Sequence, residues 1–300
     1  MVISPLTNQS EVSLLDEIPT SRLIAEWQNI FQINITNELR DCEKIELYRC
    51  DKTGLKFFIP PTLAGSDNLY TKLQKFDWYY MPWKWEHNIA LSNMKKGMQT
   101  LEIGCGSGAF IKRVRNKGFA IEGIEVNSEA VAEAQRKNLP VSNTDLLDLA
   151  NCEKGKFDIV CSFQVLEHVP DPQSFLNRCI SLLKSGGKLI LSVPNSESFL
   201  RYQFNLLDMP PHHMTRWSKK TLKTVETLFP LKLEKLLTEP LQDYQIQAYL
   251  GAYAQHLRSL SPLMKILVNR FTLFILSGII RAGLKNLLIG QTLYVQFCKL

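Results

Sequence analysis

From residue 98 onward, short apolar runs alternate with longer stretches whose apolar positions recur every three or four residues. MQTLEIG, FAIEGIEVN, FDIVCSFQVL and KLILSVPN are apolar runs of strand length, and LPVSNTDLLDL adds a short strand and a turn. Between them, GAFIKRVRNKG, SEAVAEAQRKN and DPQSFLNRCISLLKSGG read as helices. The first closes at Gly118, a natural C-cap, and Ser128 is placed to cap the second. Strand–helix alternation with helices of this length predicts βαβ units and a parallel sheet. SKKTLKTVETLF then adds a helix, LKLEKLLTE a strand, and TLYVQFCKL closes the chain as a strongly alternating strand.

The flanks follow another pattern. In SRLIAEWQNIF, Leu23, Ile24, Trp27, Ile30 and Phe31 share one helix face. LYRCDKTGLKFFIPPTLAGS reads as a short strand or turn, so the first 95 residues are expected to be mostly helical and irregular. Tyr70, Phe76, Trp78, Tyr79, Tyr80, Trp83 and Trp85 crowd into sixteen positions, which suits either a packed core or a wall of a ligand cavity. Residues 241–289 read as helices, with Ile246, Tyr249, Leu250, Tyr253, Leu257 and Leu260 on one face. Phe271 to Ile280 is apolar and uncharged between Arg270 and Arg281. At ten residues it is half of the roughly 20 needed to span a bilayer, so a buried or interfacial helix fits and a transmembrane span does not.

Composition narrows the classes. Three hundred residues, 45% hydrophobic and 21% charged, suit one globular core with a lobe and exclude a disordered chain or a coiled coil. The net charge of +6 is scattered, with no basic run of the kind a nucleic-acid arm carries. Seven cysteines form no C-x-x-C pair, which leaves zinc-ribbon and thioredoxin chemistry without support. The odd count, with no basic and apolar leader pattern at the start, points to a reducing compartment and a cytoplasmic location.

The densest chemical signal is Leu101-Glu102-Ile103-Gly104-Cys105-Gly106-Ser107-Gly108, at the end of a strand and the start of a helix. Glycines there tolerate a tight turn and let backbone N–H groups approach a ligand. Read as G-x-G-x-x-A, it is a dinucleotide loop with Glu125 as the ribose acid about 20 residues on. Read as E-x-G-x-G-x-G, it resembles the first motif of the class I S-adenosylmethionine (SAM)-dependent methyltransferases. Three features favour the second reading. Glu102 sits two before the first glycine, where a dinucleotide strand usually carries an apolar residue. Asp145 follows the third strand, and FDIVCSFQVLEHVPDP and LLKSGGKLILSVPN resemble the family's fourth- and fifth-strand segments in the right order.

The resemblance implies an α/β fold: a Rossmann-like seven-stranded methyltransferase sheet with helices on both faces and an antiparallel last strand. It divides the chain into a helical, aromatic-rich N-terminal lobe (1–96), a SAM-binding core (97–240), a helical insertion (241–289) and a last core strand (290–300). It also implies SAM as the cofactor. Glu102 would lie near the ligand's amino group or the loop backbone, and Gly104, Cys105, Gly106, Ser107 and Gly108 would form the loop. Glu125, with Val126 beside it, would accept the ribose hydroxyls. Asp145, with Leu146, would meet the adenine amine, Asp148 being the alternative acid. Phe163 and Gln164 would lie against the methionine arm.

The acceptor is narrowed by exclusion. Ser162-Phe163-Gln164-Val165 is not the Asp/Asn-Pro-Pro-Tyr/Phe motif of amino-methylating enzymes, and no Pro-Cys pair serves pyrimidine C5 chemistry, so Cys161 is assigned to the core. A small molecule, methylated on a hydroxyl oxygen, is the expected acceptor, with no nucleic-acid partner; a SAM-binding scaffold protein is the alternative. Gln164-Val165-Leu166-Glu167-His168-Val169 is similar to the L-E-H-V turn of ubiquinone-type O-methyltransferases, some of which hold metal through Glu-x-x-Glu-His. Gln164 replaces the first Glu, so no metal is expected, and Glu167 and His168 either order the turn or serve the reaction. Pro210-Pro211-His212-His213 follows the fifth strand, which places two imidazoles near the acceptor as candidate bases, His213 the favoured one. The wider pattern looks like bacterial methyltransferases of secondary-metabolite or glycan pathways. For residues 241–289 three roles stay open: a cap on the acceptor cavity, a homodimer contact, or a membrane-surface helix.

Overall fold

Strands buried on both faces set the architecture. The protein is described by a computed structural model that covers residues 1–39, 42–76, 78–79 and 81–300. Three strands come first: β1 (Val12–Pro19), β2 (Lys44–Cys50) and β3 (Lys56–Ile59). β4 (Gln99–Ile103), β5 (Ala120–Ile124), β6 (Val141–Ser142), β7 (Phe157–Phe163) and β8 (Leu183–Pro194) then alternate with helices. β9 (Thr215–Arg216), β10 (Leu231–Pro240) and β11 (Ile289–Lys299) complete the set.

Seven strands form one sheet in the order β10-β11-β8-β7-β4-β5-β6. β4 runs parallel to β5 and β7, and β11 runs antiparallel to both β8 and β10. This is the expected sheet with its antiparallel last strand. Alternate residues of one strand feed opposite layers: Leu189 and Leu191 join one apolar cluster and Ile190 the other. Because β4 has its chain successor β5 on one side and β7 on the other, a crevice opens at the carboxyl ends of β4 and β7. Cys161 is fully buried in β7, in the core as expected.

The N-terminal lobe departs from the helical expectation. It does hold helices, Thr20–Phe31 among them, but β1, β2, β3 and β9 make a four-stranded antiparallel sheet. β1 hides its strand character because Ile18 is its single buried side chain and a bulge breaks the register between Leu14 and Asp16. β9 pairs with β3 through Phe57 and Thr215, which fastens the lobe to the segment that carries the paired histidines. Three smaller corrections follow. The helix expected to run to residue 187 ends at Leu182, and the Gly-rich stretch after it belongs to β8. Asn127, not Ser128, caps the helix Ser128–Arg136, accepting from the N–H groups of Glu129 and Ala130. The last strand begins at Ile289.

The stretch expected to be helical, 241–289, holds the helices Ile246–Leu260, Pro262–Leu267 and Arg270–Arg281 and gives up Ile289 to the last strand. Among the described residues, no helix is long and apolar enough to cross a membrane.

Candidate functional site

The glycine loop leaves β4 at Ile103 and enters the helix Ala109–Asn116. Gly104 has φ +71° and Gly108 φ +76°, in the left-handed region that favours glycine. A Cβ on Gly104 would meet Val165 Cγ2 at 2.4 Å, so the loop packs directly on the turn after β7. Glu125 braces the loop from beneath. Its two carboxylate oxygens accept from Gly106 N–H at 2.8 Å and Asn127 N–H at 2.9 Å. Each oxygen keeps a second lone pair for a further donor.

A cavity of about 480 Å³ opens beside this loop, within the size range of small-molecule sites. Three buried carboxyls line it, Glu86, Glu102 and Glu167, and each leaves one oxygen without a hydrogen-bond partner. A buried polar atom left unpaired costs roughly 1–3 kcal/mol, so three around one cavity mark a place built for a ligand that carries donors or positive charge. Burial pushes all three carboxyls up. Glu102 is raised well above the usual range, with the charge of Glu125 adding to its burial, and Glu167 is pushed up to about 8. The Cys105 thiol is also pushed up by burial, which leaves no thiolate in the loop.

On the far wall, His168, His212 and His213 stack edge to face and face to face, with ring centroids 4.5–4.8 Å apart. Burial depresses all three, His168 to about 4, and the neighbouring rings press His212 and His213 lower still. All are therefore neutral at pH 7. Their tautomers follow from their partners. Nδ1 of His168 donates to His212 O (2.6 Å) and Nδ1 of His212 to Leu207 O (2.8 Å), because a carbonyl only accepts. Nδ1 of His213 faces Asp208 Oδ1 at 3.3 Å. Asp208, pushed up to about 6 by burial and held lower than that burial alone would put it by Arg216 at 2.8 Å, is ionised at pH 7 and accepts the proton. Nε2 of His213 then carries a lone pair, 4.0 Å from Glu167 Oε1. His212 Nε2 is 3.0 Å from the Tyr79 hydroxyl. Burial weakens His213 as a base, so it can take a proton at Nε2 only with the negative charge of Asp208 beside it to offset the imidazolium.

One ring nitrogen from each of the three histidines lies within 4.8 Å of the others. Two nitrogens sharing a zinc ion would stand about 3.3 Å apart, so the rings would have to draw together to hold one. As placed, they form a hydrogen-bonded cluster. The same segment orders the turn after β7: Glu167 O accepts from Met214 N–H and Thr215 N–H.

Eleven of the residues singled out from sequence line the cavity: Glu102, Gly104, Cys105, Gly106, Ser107, Phe163, Gln164, Glu167, His168, His212 and His213. Gln164 closes β7 with φ +57°, a strained setting for a residue with a Cβ, and its amide donates to Ser192 Oγ. Gly108, Glu125, Val126, Asp145 and Leu146 lie outside the cavity lining. Gly108 starts the helix, and Val126 is 60% exposed. Asp145 is exposed and caps the helix Leu146–Cys152, accepting from Leu147 N–H at 2.7 Å. Of the aromatic stretch, Trp78 and Tyr79 are cavity wall and Trp83 is stacked on Phe110, so both roles occur; Tyr80 lies outside the described residues. Sequence reasoning missed Asp208 and Glu86. The spacing Asp208 to His213 was the available signal for the first, and nothing local marks the second.

A family model described as a methyltransferase domain matches residues 78–228, just over half of the chain. The ubiquinone biosynthesis O-methyltransferase of Coxiella burnetii (strain Dugway 5J108-111) is 29% identical over 41% of this chain and 62% of its own length. That of Albidiferax ferrireducens is 33% identical over 40% of this chain and 54% of its own length. The chain thus spans less than two thirds of these relatives. A solved SAM-dependent methyltransferase from Archaeoglobus fulgidus superposes with a TM-score of 0.47 at 19% identity, covering 78% of this chain and 95% of that one.

Proposed function

The chain belongs to the methyltransferase domain family, and from that premise we propose that it is a class I SAM-dependent enzyme that methylates a small-molecule acceptor on a hydroxyl oxygen. The observation that carries the reading is that Glu86, Glu102 and Glu167, each with one buried carboxyl oxygen left unpaired, all line one glycine-loop cavity. A dinucleotide would bring a pyrophosphate, an anion, against them. SAM has no phosphate and carries an ammonium and a sulfonium, so its charge suits them. These residues fit SAM: Glu102 is the partner for its ammonium, the loop backbone for its carboxylate, and Glu125 for its ribose. When bound, SAM supplies an electrophilic methyl on sulfur.

The rest falls to this chain's own residues. Trp78, Tyr79 and Leu207, which line the cavity, give the acceptor an apolar seat. Nε2 of His213 takes the acceptor's hydroxyl proton, while Asp208 holds the ring through Nδ1–H and balances the imidazolium. His212, His168 and Glu167 fix the ring's setting. The scattered charge and a cavity of about 480 Å³ favour a small molecule over a nucleic acid. A scaffold protein that merely holds SAM would not need a paired Asp–His base facing the cavity.

Metabolite extracts incubated with the protein and methyl-labelled SAM should yield a labelled product by mass spectrometry, with the label on an ether oxygen. Label on nitrogen or carbon would contradict the hydroxyl acceptor, and repeated failure across broad extracts would favour the scaffold.

A further inference from the structure

The helices between β10 and β11 reverse the burial of an ordinary surface helix. In Arg270–Arg281 the buried side chains are Ser277 and Ile280. Phe271, Phe274, Ile275 and Ile279 point outward, with Phe271 71% and Phe274 76% exposed. The preceding helix, Pro262–Leu267, buries no residue and also shows Leu263 and Ile266 to the outside. Thr272 Oγ1 donates to Leu267 O at 2.9 Å and joins the two helices, so their exposed apolar residues adjoin. A monomer rarely exposes so dense an apolar surface without a use for it.

The charge of the segment says what covers it. From Tyr244 to Leu300 there is no Asp or Glu, while Arg258, Lys265, Arg270, Arg281, Lys285 and Lys299 supply +6, equal to the formal net charge of the whole chain. Lys285 is paired with Asp243 and Arg258 donates to Val268 O, but Lys265, Arg270 and Arg281 are exposed and form no ion pair among the described residues, Arg281 only feeling the charge of Asp243 beyond contact. Arg270 and Arg281 bracket the apolar face at the two helix ends. Eleven residues apart, they stand about 20° from each other around the axis, along one edge of that face. An apolar face with a cationic rim is the pattern of a helix lying in a lipid interface. A second copy of the chain fits less well: a two-fold contact would bring identical cationic rims together with no acid in the segment to neutralise them. Nor is the segment a wall of the cavity. Tyr244 lines it, and none of residues 246–289 does.

We propose that the helices Pro262–Leu267 and Arg270–Arg281 dock the protein on the surface of an anionic lipid bilayer, with Phe271, Phe274 and Ile275 entering the interface and Lys265, Arg270 and Arg281 on the headgroups. The docking face belongs to the lobe that borders the cavity, since the helix Ile246–Leu260 packs on the turn Phe199–Tyr202, whose Leu200 lines it. The inference does not rest on the methyl-transfer reading, because its readout needs no reaction.

The test is flotation of the full chain with vesicles of phosphatidylcholine alone or mixed with phosphatidylglycerol. Co-flotation is expected with the anionic vesicles. It should vanish at about 0.5 M salt, where screening shortens to roughly 4 Å, and fall roughly tenfold or more in Lys265→Glu/Arg270→Glu/Arg281→Glu. Phe271→Ser/Phe274→Ser should also lose it; these are exposed positions, and an unchanged thermal transition would show that the fold persists. The proposal is overturned if the protein does not float with anionic vesicles. It is equally overturned if flotation ignores salt and charge reversal, or if light scattering gives a dimer that Phe271→Ser/Phe274→Ser returns to monomer while vesicles bind neither.

Discussion

His213→Ala should lower turnover by about 10²–10⁴-fold, the usual contribution of a general base, while SAM binding stays near normal. The expectation follows from the direction of each proton. Asp208 holds Nδ1–H, which leaves Nε2 as the acceptor in the cavity, and burial keeps the ring neutral at pH 7. Asp208→Asn tests the same assignment without emptying the cavity. Its amide can offer N–H to Nδ1, which favours the tautomer with hydrogen on Nε2 and removes the base. Turnover should fall on a similar scale; the change also takes the charge from the Arg216 pair, so the thermal transition should drop as well and the rates are read below it. His212→Ala should cost less, since Nε2 of that ring already meets Tyr79. Single-turnover rates with saturating SAM are the measurement. Near-normal rates in both His213→Ala and His212→Ala would remove the base from the mechanism and leave positioning in a dry site as the source of rate.

The second large effect is expected at Glu125. Losing a hydrogen bond to a charged group costs about 1.5–3 kcal/mol, so Glu125→Ala should weaken SAM binding by roughly 10- to 150-fold. The same side chain holds Gly106 N–H and Asn127 N–H, so the loop loses its brace as well as the ligand its acceptor. Glu125→Gln is therefore expected to rescue little. Both carboxylate oxygens face backbone N–H groups, and an amide must turn its NH₂ against one of them. Calorimetric titration measures both variants. Unchanged affinity in folded Glu125→Ala would take this residue out of the site.

What the chain revealed before folding follows the distance over which its signals act. The glycine loop, Glu125 and the turn at Glu167 lie on strand ends whose order is set by strand–helix alternation, so proximity in the sheet could be inferred. The paired histidines were placed on the acceptor side for the same reason. Asp208 was hidden because its meaning depends on how the chain between it and His213 turns. Glu86 was hidden more deeply. It lies in the first turn of the helix Trp85–Leu91 in the lobe, and it meets Ser192 across 106 residues of sequence, which no local pattern reports. Asp145 shows how one residue can carry two signals. An acid after a short strand suits a ligand motif and a helix cap equally well; its Oδ1 caps a helix here, and Oδ2 is left for another donor. The lobe's sheet escaped notice because β1 shows solvent most of its side chains, so the alternation that marks a strand has little burial behind it.

A cavity built for a cationic adenosyl ligand should bind SAM, and a calorimetric titration of SAM into the full chain at pH 7 measures that binding. Glu102, the partner for the ammonium, is raised well above the usual range by burial and Glu167 is pushed up to about 8, so both hold their protons at pH 7 in the free protein. A bound cation favours the carboxylate, so binding should release protons, and the heat should differ between buffers of different ionisation enthalpy in that direction. Affinity should rise with pH up to about 8, by as much as about tenfold per unit for each proton released. Saturable one-to-one binding of SAM with proton release, and none of NADH, is the result expected. Tight NADH binding with no SAM binding, or SAM binding accompanied by proton uptake, would contradict it.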